Sequence, residues 1–180
     1  RAKNMGKRSD FKRIPRDFYP TPLAAVVPLV PHLPNRFNFA EPCCGDGALM
    51  RHIEELTKDS WCLLESDIDP KGSRCKADAF DLLPFDFVNT DYIITNPPWD
   101  RKILHPMIEH FSAMCPAWLL FDADWMHTKQ SASFMPYLRK IVSVGRVKWI
   151  PDSKMTGKDN CAWYLFDQNS TGATEFYGRT

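Results

Sequence analysis

The segment Tyr92-Ile-Ile-Thr-Asn-Pro-Pro-Trp99 decides how the rest of the chain is read. Its first half is a run of β-branched and aromatic residues, the pattern of a buried strand. Its second half ends that strand abruptly. Pro97 and Pro98 have no N–H to give to a ladder and fix their own φ, so the chain must leave the sheet at Asn96. In an open α/β sheet, ligands bind at the carboxyl ends of strands. At this exit the side-chain oxygen of Asn96 and the carbonyls of Asn96 and Pro97 can accept hydrogen bonds, and the prolines bring no competing donor. Trp99 adds a flat face. The set reads as a socket for a planar molecule that carries an amino group.

Working outward, strands alternate with helices. Phe37–Glu41 reads as a strand, Pro42–Gly47 as a turn, and Ala48–Leu56 as a helix with Leu49, Ile53 and Leu56 on one face. Leu23–Leu33 has helical spacing that Pro28 and Pro31 must shorten or kink. Trp61–Glu65 reads as a second strand and Lys76–Phe80 as a short third strand and loop, separated by the acidic turn Ser66–Pro70. Beyond Trp99, His105–Met114 reads as a helix with Pro106 in its first turn, and Ala117–Asp122 as a fully apolar strand. Ser131–Leu138 reads as helical, and Ile141–Ile150 and Cys161–Phe166 as the last strands. The Pro151–Asn160 loop between those two has no helical pattern, so they are expected to be antiparallel. The tail after Asp167 is polar and reads as frayed. The predicted architecture is α/β, a doubly wound, mostly parallel sheet of seven strands with an antiparallel last strand and helices on both faces.

The chain has 180 residues, 44% hydrophobic and 25% charged, which suits one soluble globular domain large enough to bury a proper core. A net charge of +1 gives no global basic field, so attraction to nucleic acid must come from local clusters. One cluster is the opening stretch with Arg1, Lys3, Lys7, Arg8, Lys12, Arg13 and Arg16, read as a flexible arm over residues 1–16 ahead of a single unit over 17–180. A second comprises Arg139, Lys140, Arg146, Lys148, Lys154 and Lys158. Prolines and charges interrupt every apolar run short of a membrane span, and no secretory leader pattern is visible. Neither the cysteines nor the histidines have metal-ligand spacing. Reduced thiols, no structural metal, no membrane partner and a cytoplasmic location are therefore expected.

Gly45-Asp-Gly47, after a strand and before a helix, is the setting for a ligand lying over a helix N-terminus. About twenty residues further on, Glu65 and Asp67 stand where a carboxylate can take a pair of ribose hydroxyls. A phosphate-cradling loop would need Gly-Lys-Ser/Thr, whereas Gly47-Ala-Leu follows here. A dinucleotide fingerprint would need a small residue where Met50 stands. Asp46 inside the turn disfavours a pyrophosphate and suits a cation.

Taken in order, Tyr19-Pro-Thr-Pro22, Glu41-Pro-Cys-Cys-Gly-Asp-Gly47, Ser66-Asp-Ile-Asp69, Ala77-Asp-Ala-Phe80 and Asn96-Pro-Pro-Trp99 resemble the class I S-adenosylmethionine-dependent methyltransferases, whose fold is Rossmann-like. More narrowly they resemble the amino-group (N6-adenine) DNA methyltransferases of phage and prophage type. The resemblance spans roughly residues 17–167. It implies that Tyr19, Pro20 and Thr21 close over the methionine part of the cofactor, and that Glu41, Pro42, Cys43 and Gly45 line its methionine side and sulfonium. It further implies that Asp67 takes the ribose hydroxyls, and that Asp78 and Phe80 meet the adenine. Asn96, Pro97, Pro98 and Trp99 would be the catalytic socket, with Asn96 also touching the cofactor and Trp99 stacking on a flipped-out base. S-adenosylhomocysteine would be the product.

The resemblance departs from the pattern at one point: the larger DNA adenine enzymes carry a separate target-reading region, and no stretch here is long enough for one. Three readings follow: an enzyme of weak specificity, a dimer, or target reading by the N-terminal arm together with the 151–160 loop. Lys154 and Lys158 in that loop are candidates for phosphate contact, and Trp125 beyond the fifth strand is a candidate for substrate stacking. RNA adenines and protein glutamine amides are alternative acceptors, because their methyltransferases share an Asn-Pro-Pro-aromatic signature. A catalytically silent cofactor- or nucleic-acid-binding module is the alternative of a different class.

Overall fold

A computed structural model describes residues 19–72, 74–152 and 156–179. The basic arm expected over 1–16, and Lys154, lie outside the described residues. The sheet contains β1 (Arg36–Glu41), β2 (Asp59–Asp67), β3 (Cys75–Lys76), β4 (Tyr92–Thr95), β5 (Ala117–Asp122), β6 (Leu138–Gly145), β7 (Cys161–Phe166) and β8 (Glu175–Tyr177). Their spatial order is β3-β2-β1-β4-β5-β7-β6-β8. β7 pairs antiparallel with both β5 and β6, while every other pairing is parallel. The doubly wound, mostly parallel sheet is therefore as the sequence implies, with β8 as an additional strand.

Two cores cover the two faces. On one, α3 (Arg101–Met114) packs Leu104, Met107, Ile108 and Phe111 against Ile93, Leu119, Phe121, Tyr164 and Phe166. On the other, α1 (Leu23–Val26), the following 3₁₀ turn Val27–His32 and α2 (Ala48–Leu56) pack Val26, Leu29, Leu49 and Ile53 against Phe37, Phe39, Ile94, Trp118 and Trp163. Successive strand residues point to opposite faces, so Ile93 enters one core and Ile94 the other. This two-sided burial explains why β4 and β5 read as continuous apolar runs.

Four elements differ from the sequence reading. Helix α3 starts at Arg101, a turn before His105, because Asp100 caps it by accepting from Lys102 N at 3.0 Å. Pro106 is thus inside the helix and removes one internal hydrogen bond. The Ser131–Leu138 region is not an α-helix. It forms 3₁₀ turns at Lys129–Ser133 and Met135–Tyr137, and Leu138 already belongs to β6. Pro136 cannot continue an i→i−4 ladder, and Ser131 Oγ donates to the carbonyls of Met126 and Thr128 at 3.1 and 2.8 Å, tying off a turn. β6 ends at Gly145, whose φ of +84° turns the chain out of the sheet, so residues 146–150 are not strand. Finally, the polar tail is not frayed: β8 adds to β6 because the reversed β7 finishes at the amino edge of the sheet, where a short turn suffices to begin it. Arg139 holds that turn through Ser170 Oγ at 2.9 Å and the carbonyls of Ser170 and Gly172 at 2.6 and 2.9 Å.

Candidate active site

The chain runs outward from β1 to β2 and β3, then crosses back to place β4 on the other side of β1. That reversal opens a crevice between the carboxyl ends of β1 and β4, where Glu41 and Asn96 stand. A cleft of about 860 Å³ lies there, a volume suited to a nucleoside-sized ligand.

Its floor is the turn after β1. Cys44 N donates to Ser66 O at 2.9 Å, and Gly45 N donates to Asp67 Oδ2 at 2.9 Å, so the turn is laced to the end of β2. Asp67 Oδ1 also accepts from Asp69 N at 2.7 Å. A carboxylate has about four acceptor positions, so Asp67 can still take hydroxyls while clamping the turn. Gly47, with φ of +74°, is the residue before α2. A Cβ there would stand 2.6 Å from Arg74 Nε and 2.7 Å from Arg74 Cζ, because that guanidinium, paired with Glu65 at 3.1 Å, lies across the turn.

Electrostatically the cleft is acidic. Glu41, Asp46, Asp67, Asp69, Asp78 and Asp100 line it, and Lys71 is the one base among its described lining residues. Glu41 is only 2% exposed and accepts from Met50 N at 3.1 Å. Burial, reinforced by the charges of Asp46 and Glu65, holds its carboxyl well above the usual range despite that bond and the opposing Arg74. Burial likewise pushes the Cys43 thiol up, so Cys43 lines the cleft as a neutral group. Asp78 accepts from Phe80 N at 3.0 Å, capping a short 3₁₀ turn that presents the 39%-exposed Phe80 ring to the cleft.

The socket after β4 is tied to two other parts of the chain. Asn96 Nδ2 donates to Thr21 Oγ1 at 3.1 Å. Trp99 Nε1 donates to Asn96 Oδ1 at 3.3 Å and to Leu120 O, on β5, at 3.1 Å. The Trp99 ring meets Trp149 edge-on with centroids 5.6 Å apart, and Trp149 in turn meets Tyr19 at 6.5 Å.

No protein-family model matches the chain, and no curated protein sequence matches it. Solved structures do. The modification subunit of a type I restriction enzyme from Vibrio vulnificus superposes with a TM-score of 0.55 at 13% identity, covering 91% of this chain and 47% of that one. A protein from Listeria monocytogenes described as a class I S-adenosylmethionine-dependent methyltransferase gives 0.52 at 10% identity, covering 87% and 62%. A dimethyladenosine transferase from Plasmodium falciparum gives 0.51 at 16% identity, covering 83% and 62%. The chain has the class I methyltransferase fold. It spans less than two thirds of the length of each of these proteins.

On this methyltransferase fold, the residues singled out for the cofactor, namely Tyr19, Pro20, Thr21, Glu41, Pro42, Cys43, Gly45, Asp67, Asp78, Phe80 and Asn96, all line the one cleft, together with Pro98. Pro97 and Trp99 are beside it rather than among its lining residues. Lys158 is exposed on the β6–β7 loop, which leaves and rejoins the sheet at its carboxyl edge. Trp125 requires correction. It is 1% exposed, donates from Nε1 to His105 Nε2 at 2.9 Å, and sits among Phe121, Phe134, Tyr164 and Phe166, so it offers no face to a substrate.

Sequence reasoning missed Trp149 and the apolar wall formed by Ile103 and Met107. The latter pair carried a signal, an i,i+4 spacing that puts both on one face of α3. The sequence pattern places Trp149 in a strand, and only the turn at Gly145 frees it to reach Trp99.

Proposed function

We propose that this protein is an S-adenosylmethionine-dependent methyltransferase acting on the exocyclic N6 amino group of adenine in DNA, of the small type found in phages and prophages. The observation that carries the reading is the convergence, at one topological switch point, of a glycine turn with an acidic lining and an Asn-Pro-Pro-Trp exit. The described lining fits the cofactor: its carboxylates outnumber its one described base and favour a ligand with a sulfonium and an ammonium group, and the Phe80 face beside Asp78 suits a purine. When bound, S-adenosylmethionine supplies an electrophilic methyl group.

The chain's own part is positioning. An aromatic amine is a poor nucleophile because its lone pair is delocalised into the ring. Asn96 Oδ1 and the Pro97 carbonyl are acceptors for its two hydrogens, favouring a pyramidal nitrogen whose lone pair is free for in-line attack. Pro97 and Pro98 keep competing N–H donors out of the socket. The gain comes from orientation and fixed dipoles, and no side chain need abstract a proton before transfer. In a duplex the base must first leave the stack, and the aromatic group Tyr19, Trp149 and Trp99 offers faces on which it can rest. Lys154 and Lys158 are the proposed phosphate contacts, with the basic stretch 1–16 as a further one ahead of the catalytic unit.

The test is transfer of labelled methyl to duplex DNA, single-stranded DNA, total RNA and protein extract, with Asn96→Ala in parallel and labelled products identified by mass. Label in N6-methyladenine from DNA, lost in the variant, is the expected result. Label in RNA or in glutamine alone would retain the chemistry and overturn the acceptor. Cofactor binding without transfer to any acceptor would overturn the enzyme reading in favour of a silent binding module.

A further inference from the structure

We propose that Trp99 and Thr21 are positioning residues that lock the side-chain amide of Asn96 with its oxygen as the available acceptor. This rests on the function proposed above. A primary amide has two orientations of nearly the same shape and opposite chemistry, and a half-turn would place an NH₂ where the oxygen had been. Such a flip would set a donor against the substrate's own amino hydrogens. What selects the orientation must therefore be a partner that tolerates only one end.

Trp99 is that partner. An indole N–H donates and never accepts, so it can face only the amide oxygen. It stands 3.3 Å from Asn96 Oδ1 and is held in place by its second acceptor, Leu120 O, at 3.1 Å. Flipping Asn96 would bring two N–H groups together. The Thr21 hydroxyl, 3.1 Å from Nδ2, can donate or accept and so does not choose; it accepts once Trp99 has chosen. Thr21 is 5% exposed, which makes an unpartnered amide hydrogen costly on that side. Oδ1 is left with one acceptor position for the substrate. The lock joins the segment before α1, the exit of β4 and the backbone of β5, so it is complete only when the sheet is assembled. In this account the indole nitrogen, not only the ring face, is the reason for tryptophan at position 99.

The experiment compares Thr21→Val, Thr21→Ser and Trp99→Phe by steady-state methyl transfer, by calorimetric cofactor affinity, and by hydrogen exchange of the Asn96 side-chain amide in ¹⁵N NMR, that signal being assigned by its loss in Asn96→Ala. Expected are faster amide exchange in Thr21→Val and Trp99→Phe, and a fall in kcat of roughly 3- to 10-fold for each, the loss of one hydrogen bond. Any change in cofactor Kd for Thr21→Val or in acceptor KM for Trp99→Phe should be smaller than the fall in kcat, and Thr21→Ser should restore both rate and protection. The double variant Thr21→Val/Trp99→Phe should cost little more than the worse single change, since both act through one amide. A change in cofactor Kd alone for Thr21→Val, or in acceptor KM alone for Trp99→Phe, would overturn the proposal, as would unaltered amide exchange in both. If the wild-type protein transfers methyl to nothing, the proposed function fails, while the exchange measurement still decides the lock.

Discussion

Gly47→Ala probes the turn on which the cleft is built. Gly47 holds φ of +74°, and an L-residue in that region costs about 1–2 kcal/mol. The added methyl would also overlap the Arg74 guanidinium, 2.6 Å from Nε, and force it away from Glu65, its partner at 3.1 Å. That pair is partly exposed, so its loss costs only about 0.2–1 kcal/mol. The sum is about 1–3 kcal/mol, or a fall in Tm of roughly 2–12 °C for a domain of this size. Urea denaturation of wild type, Gly47→Ala, Arg74→Ala and the double variant separates the two parts. With Arg74 already truncated, Gly47→Ala should cost only the backbone strain, so the cycle should show a coupling of about 0.2–1 kcal/mol. Gly47→Ala within about 0.5 kcal/mol of wild type would refute the strain argument. An equal cost in both backgrounds would refute the role given to Arg74.

Other consequences are open to measurement. Glu41 has its folded-state carboxyl raised above the ordinary value of 4.5, chiefly by burial, so it binds its proton more tightly when folded. The stability it contributes is complete below that ordinary value and is lost as pH rises through the folded value. Glu41→Gln should therefore become progressively more stable than wild type from about pH 4.5 upward, then level off; a constant difference in Tm across pH would show the reasoning wrong. Trp125→Phe removes the bond to His105 and leaves a void, and should cost about 1–3 kcal/mol without altering acceptor KM. A selective rise in KM would reinstate Trp125 as a substrate contact. Arg139→Ala should release the turn that carries β8, seen as faster amide exchange over Glu175–Tyr177 with β5 and β7 still protected.

Where the sequence was legible, a local pattern had one physical meaning. Asn96-Pro-Pro cannot continue a strand, two-sided burial makes β4 and β5 uniformly apolar, and two glycines before a helix mark the turn that floors the cleft. The errors share a cause, since each hinged on an interaction outside the window being read. α3 begins early because Asp100, the residue directly after the socket, caps a helix. The 131–138 stretch has helical spacing, but its serine and proline close turns instead. β8 has exposed residues at all three positions and hence no burial pattern to detect; its pairing with β6 and the reach of Arg139 create it.

The sequence alone determined the fold class, the place of the switch-point crevice and the residues at its floor, because strand exits, glycine turns and burial periodicity are local properties of the chain. Tertiary structure decided what those residues face. Trp125 and Trp149 are both tryptophans just beyond a strand, and one is entombed in the core while the other stands beside Trp99. Thr21, Trp99 and Leu120 meet at a single amide only after strands distant in sequence have paired. Burial and hydrogen-bond partnership are properties of the assembled sheet, and no window of sequence contains both sides of such a contact.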